Sequence, residues 1–242
     1  MSKVQSQVVP VQTLTAAQRQ EMLALMVAHY DGIVADVFFA DLADKNDVFL
    51  FHADGRLVGF STILCRRHPG IPRATVLFSG DTVIDKDYWG RSFLQISFGK
   101  YVLMRKLSRP WEPLYWMLIS KGYKTYLMMR RNYPWSFPQP GRDCPERERH
   151  AMDTFYGNRF NGSYDPASGL IGKGSGNYSV KEEWSEPPDE LCTDSELAHF
   201  LQSNPRCREG VELACIAEIR LRDYIQIFLK YTPRYFRLVK KK

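Results

Sequence analysis

Two runs of β-favouring residues, Val48-Phe-Leu-Phe-His-Ala53 and Leu57-Val-Gly-Phe-Ser-Thr-Ile-Leu64, flank Asp54-Gly55. An Asp-Gly pair between such runs supplies the two left-handed positions of a tight hairpin turn, so the chain must build around an antiparallel ribbon. A third run, 75–84, has Gly80 between Val76-Leu-Phe78 and Val83-Ile84. Glycine inside a strand pattern marks a bulge or a close approach to the backbone.

Helical spacing surrounds this ribbon. Thr15-Ala-Ala-Gln18 reads as a capping box, followed by Met22, Leu23, Met26, Val27 and Tyr30 on one face, with Gly32 as the stop. A second helical stretch covers 34–43. Beyond the third strand, 92–107 reads as a helix and 114–119 as a buried strand. Ser120 caps a helix over 121–131, which Pro134 ends. Helix, helix, hairpin, strand, helix, strand, helix predicts an α/β three-layer fold: a mixed, bulged central sheet with helices on both faces.

With 242 residues, 44% of them hydrophobic and 25% charged, the chain can bury a substantial core. It divides into a core, 1–135, carrying the turn discussed below, and a C-terminal part, 136–242, that completes the sheet. The segment 157–191 holds six of the sixteen glycines and is expected to be mostly loop. After it, 195–201 reads as a brief helix and 211–219 as a strand. No apolar stretch approaches the roughly 18 residues of a membrane span, so no integral membrane segment is expected. The N-terminus lacks the apolar region of a secretory signal, and the five cysteines form no C-x-x-C pair, which favours a cytoplasmic location. The histidines show no zinc-type spacing with one another or with the cysteines, so no metal is expected.

The segment Thr82-Val-Ile-Asp-Lys-Asp-Tyr-Trp-Gly-Arg-Ser-Phe-Leu-Gln95 joins the bulged strand to the next helix. A helix N-terminus offers N–H groups and partial positive charge to an anion. Gly90 allows close backbone approach, and Arg91 adds a forked cation. The element order over roughly residues 15–135, with this turn, resembles the GNAT superfamily of acyl-CoA-dependent N-acyltransferases. Set against the family form E-Y-R-G-K-G-I-G, Asp87-Tyr-Trp-Gly-Arg-Ser-Phe-Leu94 matches at the acid, Tyr88, Gly90 and the basic Arg91. It departs at Trp89, Ser92 and Leu94.

The resemblance implies a pantetheine thioester lying beside the bulge along Ile84, with its phosphates on Trp89, Gly90, Arg91 and Ser92. The departures leave the donor open between free coenzyme A and the phosphopantetheine of an acyl carrier protein. Divergent bacterial N-acyl amino acid synthase-like proteins are the nearest analogy, and an acidic carrier would suit a basic chain. The implied reaction moves the acyl group to an amine of a small molecule.

Such transfer needs a base for the amine, an N–H for the donor carbonyl and a proton for the leaving thiolate. Asp81, next to Gly80, is placed to take the proton, with Ser79 as a weaker partner. The family often has a tyrosine acid on the helix after the next strand. Here Met128 aligns with that position, so Tyr123, in the first turn of the helix, is the substitute, with Tyr126 nearby. Trp116, Trp135 and Phe137 can wall an apolar pocket; for all of these aromatics core packing is the competing assignment.

The positive excess is concentrated. Residues 217–242 carry eight Lys/Arg and two Asp/Glu, a charge of +6 that equals the whole chain's. Interleaved with Tyr224, Phe228, Tyr231, Tyr235 and Phe236, it reads as an amphipathic closing helix with a basic outer face. It also motivates a rival function: a non-catalytic protein of the same fold holding nucleic acid or an acidic partner through this tail. Nucleic acid is the less expected of these partners.

Overall fold

The computed structural model describes residues 3–172, 179–180 and 194–224. The first half contains β1 (Gln5–Pro10), α1 (Ala16–His29), β2 (Tyr30–Asp31), α2 (Ala35–Ala43), β3 (Asp47–Ala53), β4 (Arg56–Arg67), β5 (Thr75–Ile84), α3 (Phe93–Ser108) and β6 (Leu114–Ser120). The remainder contains α4 (Tyr123–Asn132), β7 (Ser136–Phe137), α5 (Glu146–Arg159), β8 (Tyr164–Asp165), β9 (Leu170–Ile171), β10 (Ser179–Val180), α6 (Ser195–Ser203) and β11 (Glu212–Glu218).

The hairpin forms as expected. Asp54 and Gly55 take φ of 51° and 78°, and β3 and β4 pair on either side. These strands centre a nine-stranded sheet ordered β1-β3-β4-β5-β6-β11-β9-β8, with β7 also pairing β11. β5 and β6 run parallel, while the other described pairings are antiparallel. Strand period two sorts the side chains. Phe49, Phe51, Leu77, Trp116 and Cys215 meet Phe98 and Val102 of α3, Leu127 of α4 and Phe200 of α6 on one face. On the other face Val48, Leu50 and Phe60 meet α1 and α2 through Met22, Met26, Phe38 and Leu42, while Phe78, Met117 and Ile216 meet α5 through Phe155 and Tyr156. Each such fully buried aliphatic or Phe side chain contributes about 1.5–3 kcal/mol. The mixed, GNAT-like three-layer arrangement is therefore present, and the sheet runs through both parts of the chain.

Several local expectations shift. The capping box on α1 is complete, with Gln18 N–H donating to Thr15 Oγ1 and Thr15 N–H to Gln18 Oε1. The helix nevertheless ends at His29, ahead of Gly32, because Tyr30 and Asp31 turn extended to pair with β10. Ser120 does not cap α4. Its hydroxyl donates to the Gly122 carbonyl, and the helix starts at Tyr123. Among its described residues the glycine-rich stretch supplies three two-residue strands, β8, β9 and β10. β1 and α5 were not anticipated. β1 is an edge strand with little burial to impose alternation, and α5 carries a glutamate on its inward stripe. The basic closing segment is helical over 221–224, and 225–242 lies outside the described residues, as does any function assigned to it. Among the described residues no helix is long and apolar enough to cross a membrane.

One buried histidine ties the loop after β4 to α5. His68 Nδ1 accepts from the N–H groups of Gly70 and Ile71, both at 3.0 Å, so Nε2 carries the proton and donates to the Ala151 carbonyl at 3.0 Å. Burial holds its pKa below the ordinary 6.5. The unfolded chain therefore binds the proton more readily than the folded one, and stability is lost as pH falls below 6.5 toward the depressed value. Denaturant titrations between pH 7 and 5 should show this decline, with a slope of at most about 1.4 kcal/mol per pH unit from this residue. His68→Asn should be less stable at pH 7 and lack that component of the slope.

Candidate active site

The pairing of β5 with β6 runs from Thr75↔Leu114 to Ser79↔Leu118 and stops there, although β5 continues to Ile84 and β6 to Ser120. On its other side, β5 pairs Ser61↔Thr82 and Ile63↔Ser79, so Gly80 and Asp81 together face Thr62. This is the bulge expected at Gly80, placed where the parallel strands part. Glycine is required for space: a Cβ at position 80 would lie 2.4 Å from Thr62 Oγ1 and 2.6 Å from Lys45 Cε. Thr62 Oγ1 is buried without a hydrogen-bond partner. Lys45 is buried beneath the bulge with its ammonium bonded to the Asp41 carboxylate and, at 3.0 Å, to the Asp41 carbonyl. Gly80→Ala should cost about 1–3 kcal/mol by overpacking. It should also lower any activity more than a surface Gly→Ala does; thermal melts and turnover on one sample check both.

Asp81, half-buried on β5, sits among ionisable side chains from β2, β11 and the segments after α2 and β6. Its charge acts on Tyr30, Lys45, Lys121 and Glu212. Lys121, just past β6, lies 3.6 Å from Glu212, the first residue of β11, and both side chains are largely buried. Burial drives the Glu212 pKa up, and the Asp81 charge adds to that rise, while Lys121 opposes it. Burial drives Lys121 down, against the pull of Glu212 and Asp81. Burial likewise raises Tyr30, helped by the Asp81 and Glu212 charges, and its hydroxyl donates to the Thr82 carbonyl at 3.3 Å. A carboxyl, an amine and a phenol of displaced pKa, those of Glu212, Lys121 and Tyr30, thus surround Asp81 at the strand opening, a pattern typical of proton-transfer sites.

The remaining expected residues fall into three places. Trp89, Gly90, Arg91 and Ser92 form the turn into α3. Gly90 is left-handed, at φ 75°, with open space in its Cβ direction. Ser92 is the N-cap but makes no side-chain cap, and the first turn of α3 carries no acid. Trp89 Nε1 donates to the Ile84 carbonyl at 2.7 Å, fixing the indole against the strand end, and Lys124 of α4 lies 4.7 Å from its ring centroid. Arg91 stacks on Tyr88 at 4.6 Å. A helix N-terminus without acid, a left-handed glycine and two cations on aromatic faces fit a phosphate-bearing donor.

Ser79 and Trp116 are brought together, but with each other: the indole N–H donates to Ser79 Oγ at 2.5 Å inside the core. Tyr123 opens α4 at the same end of the sheet as the bulge, and burial raises its phenol pKa. Tyr126 is turned to α6, donating to Glu196 at 3.3 Å and to the Pro138 carbonyl at 3.1 Å. Trp135 donates to Glu148 of α5 at 3.0 Å, and Phe137 is buried on β7. A groove of about 640 Å³ along α1 and the hairpin turn, reaching Asp85 and Lys86 just past β5, is lined by none of the expected residues.

Sequence reading missed Lys45, Lys121, Glu212 and Tyr30. The signal for Glu212 was an acid opening an otherwise apolar run, Leu213-Ala-Cys-Ile-Ala217. Its neighbours follow only from β11 lying beside β6.

No protein-family model matches the sequence, and no curated protein matches it. Among solved structures the chain is similar to ElaA from Escherichia coli, at 15% identity over 57% of this chain and 95% of that one, with a TM-score of 0.39. It is similar to an acyl-CoA N-acyltransferase from Pseudomonas aeruginosa, at 14% identity over 54% and 88%, with a TM-score of 0.40. An acetyltransferase from Trypanosoma brucei is similar at 14% identity over 59% and 98%, with a TM-score of 0.39. By its own hairpin, its bulged strand leaving a parallel neighbour and its glycine turn into α3, the chain has a divergent GNAT-like fold.

Proposed function

We propose that the protein is an N-acyltransferase that moves an acyl group from a pantetheine thioester to the amine of a small molecule. The observation that carries this reading is the bulge at Gly80–Asp81, sited where β5 and β6 stop pairing. A cleft between two parting strands admits a narrow arm, and the bulge presents a carboxylate and backbone N–H groups to its end. The thioester supplies an activated carbonyl.

The chain's residues do the rest. The turn at Trp89–Ser92, with Lys124, holds the donor's phosphate. A bulge N–H polarises the carbonyl. Asp81 accepts the proton of the attacking amine as the N–C bond forms, directly or through water. Tyr123, kept protonated by burial, gives its proton to the sulfur as the C–S bond breaks. Glu212 and Lys121 beside Asp81 set its charge environment, and a cationic amine is drawn toward the two carboxyls.

The test is to mix the protein with acyl-CoA or acyl-carrier donors of several chain lengths and with primary amines, following free thiol and the mass of the amide. Amine-dependent thiol release supports the reading. Absence of both turnover and donor binding across the series overturns it.

A further inference from the structure

Lys45 carries a charge that the reaction described above does not use, in a place where a charge is costly. Its side chain is 0% exposed, although lysine is almost never fully enclosed without a partner. The residue follows α2, and the C-terminal end of a helix favours a cation. Its ammonium donates to the Asp41 carbonyl at 3.0 Å and to the Asp41 carboxylate, which turns the side chain back under the sheet. There it meets the bulge. Nζ lies 3.4 Å from the place a Cβ at position 80 would take, and 5.9 Å from the centroid of the Phe78 ring.

A second cation fixes that geometry from α5. Arg159 donates to Asp41 at 3.0 Å and to Asp44 at 2.6 Å, and its guanidinium covers the Phe78 ring at 4.7 Å. Asp41 thus serves Arg159 with one oxygen and Lys45 with the other. Fold stability alone does not call for this arrangement, because apolar side chains of the same volume often stabilise a core as well as a buried ion pair does.

The charge of Lys45 is felt at Asp81. Asp81 and Glu212 repel, and that repulsion pushes a carboxyl toward its neutral form, in which it cannot accept a proton. Lys121 answers Glu212 at 3.6 Å. Lys45 approaches the bulge from the α2 side. Burial lowers its pKa, the Asp41 charge opposes that fall, the Arg159 charge adds to it, and the Asp81 charge opposes it again. The attraction between Lys45 and Asp81 is mutual, so the ammonium favours the carboxylate. Tyr30, the remaining ionisable neighbour, stays a neutral phenol because burial raises its pKa.

We infer that Lys45 is a positioning residue for the transfer reaction: pinned between Asp41 and the Gly80 bulge, its buried ammonium keeps Asp81 ionised and able to take the proton of the amine. The role of Asp81 as base rests on the acyl-transfer reading; the link between Lys45 and Asp81 does not.

The experiment compares the wild type with Lys45→Gln and Lys45→Met. Both remove the charge; Gln keeps a donor for Asp41, Met keeps an unbranched apolar stem, and Asp41 retains Arg159 in either, so the folded variant of the two serves as the reading. Amide formation from acyl-CoA and a primary amine is followed across the acid and neutral range. Beside it, the Asp81 carboxyl is titrated by carbon-13 resonance in the full chain, its signal assigned by its loss in Asp81→Asn. The acid limb of kcat/KM and the Asp81 titration should both move up by about one pH unit. Activity should therefore fall about tenfold below the limb and return close to the wild-type value above it. In an Asp81→Asn background the same substitutions should no longer shift the profile.

A loss of rate that is equal at every pH, with the Asp81 titration unmoved, overturns the inference and leaves Lys45 as a packing residue while the acyl-transfer reading stands. If the wild type turns over no donor but the Asp81 titration still moves when Lys45 is replaced, the link stands and the acyl-transfer reading fails.

Discussion

Asp81→Asn should reduce amine acylation about 10²–10⁴-fold, the usual worth of a positioned general base. The substitution keeps the side chain's shape and removes the charge, so thermal stability should change far less than rate. Two further readouts separate a base from a merely structural carboxylate. If Asp81 takes the amine proton, the variant depends on amine already deprotonated in solution, and its rate should climb with pH where the wild type has levelled. The second concerns its neighbours. The Asp81 charge raises Glu212 and Lys121, so removing it should let Glu212 ionise at lower pH and let Lys121 lose its proton at lower pH. Carbon-13 titration of the Glu212 carboxyl would detect the first of these. A variant that retains a third or more of the wild-type rate with an unaltered pH profile would remove Asp81 from the mechanism.

That prediction draws on what was legible in the sequence and what was not. The hairpin and the bulge could be read because their causes are local: two left-handed turn positions at Asp54-Gly55, and a missing side chain at Gly80 inside a β run. The turn into α3 could be read for the same reason. The ionisable group around Asp81 could not. Lys121 and Glu212 meet only because β11 inserts beside β6 in antiparallel register, Leu213 opposite Ser120, and no short-range pattern encodes that choice. From sequence, Ser79 reads as a partner of Asp81 and Trp116 as a wall of an apolar pocket. The parallel register instead sets Leu77 opposite Trp116, two residues before Ser79, within reach of the indole N–H. Helix α5 was hidden by its own chemistry. Its inward stripe of Glu148, Ala151, Met152, Phe155 and Tyr156 has helical spacing, but the stripe opens on a carboxylate, tolerated there because Trp135 donates to it. Buried polar groups are satisfied by partners from elsewhere in the chain, and for that reason they are the least visible from sequence.

Arg130→Ala should be among the most destabilising substitutions in the C-terminal half, at about 1–3 kcal/mol, because it removes a charge-assisted hub and leaves the buried Ser136 acceptors and the half-buried Glu196 carboxylate without their donor. Arg130 projects from α4 with only 8% of its side chain exposed. Its Nε and Nη2 grip the two oxygens of Glu196 on α6, each at 2.9 Å, and Nη1 reaches the Ser136 carbonyl and hydroxyl at 3.0 and 2.8 Å. Nη2 also donates to Gln139 at 3.2 Å. One guanidinium thus joins α4, α6 and the segment around β7, a bidentate geometry that lysine cannot reproduce.

For a chain of this size each kcal/mol moves the melting temperature by roughly 2–4 °C, so the variant should melt about 6 °C lower. Glu196→Gln retains an acceptor for Arg130 and for the Tyr126 hydroxyl but leaves the more deeply buried Arg130 charge without its counter-ion, so it should also destabilise. The double replacement Arg130→Met with Glu196→Met removes both charges together and should recover part of the loss; recovery in that cycle is the signature of an electrostatic cause. Equal, additive losses would assign the effect to side-chain packing alone. Because α4 also carries Tyr123 and Lys124 beside the cleft, Arg130→Ala should weaken donor binding even below its melting point, whereas His68→Asn, which acts through α5, should not.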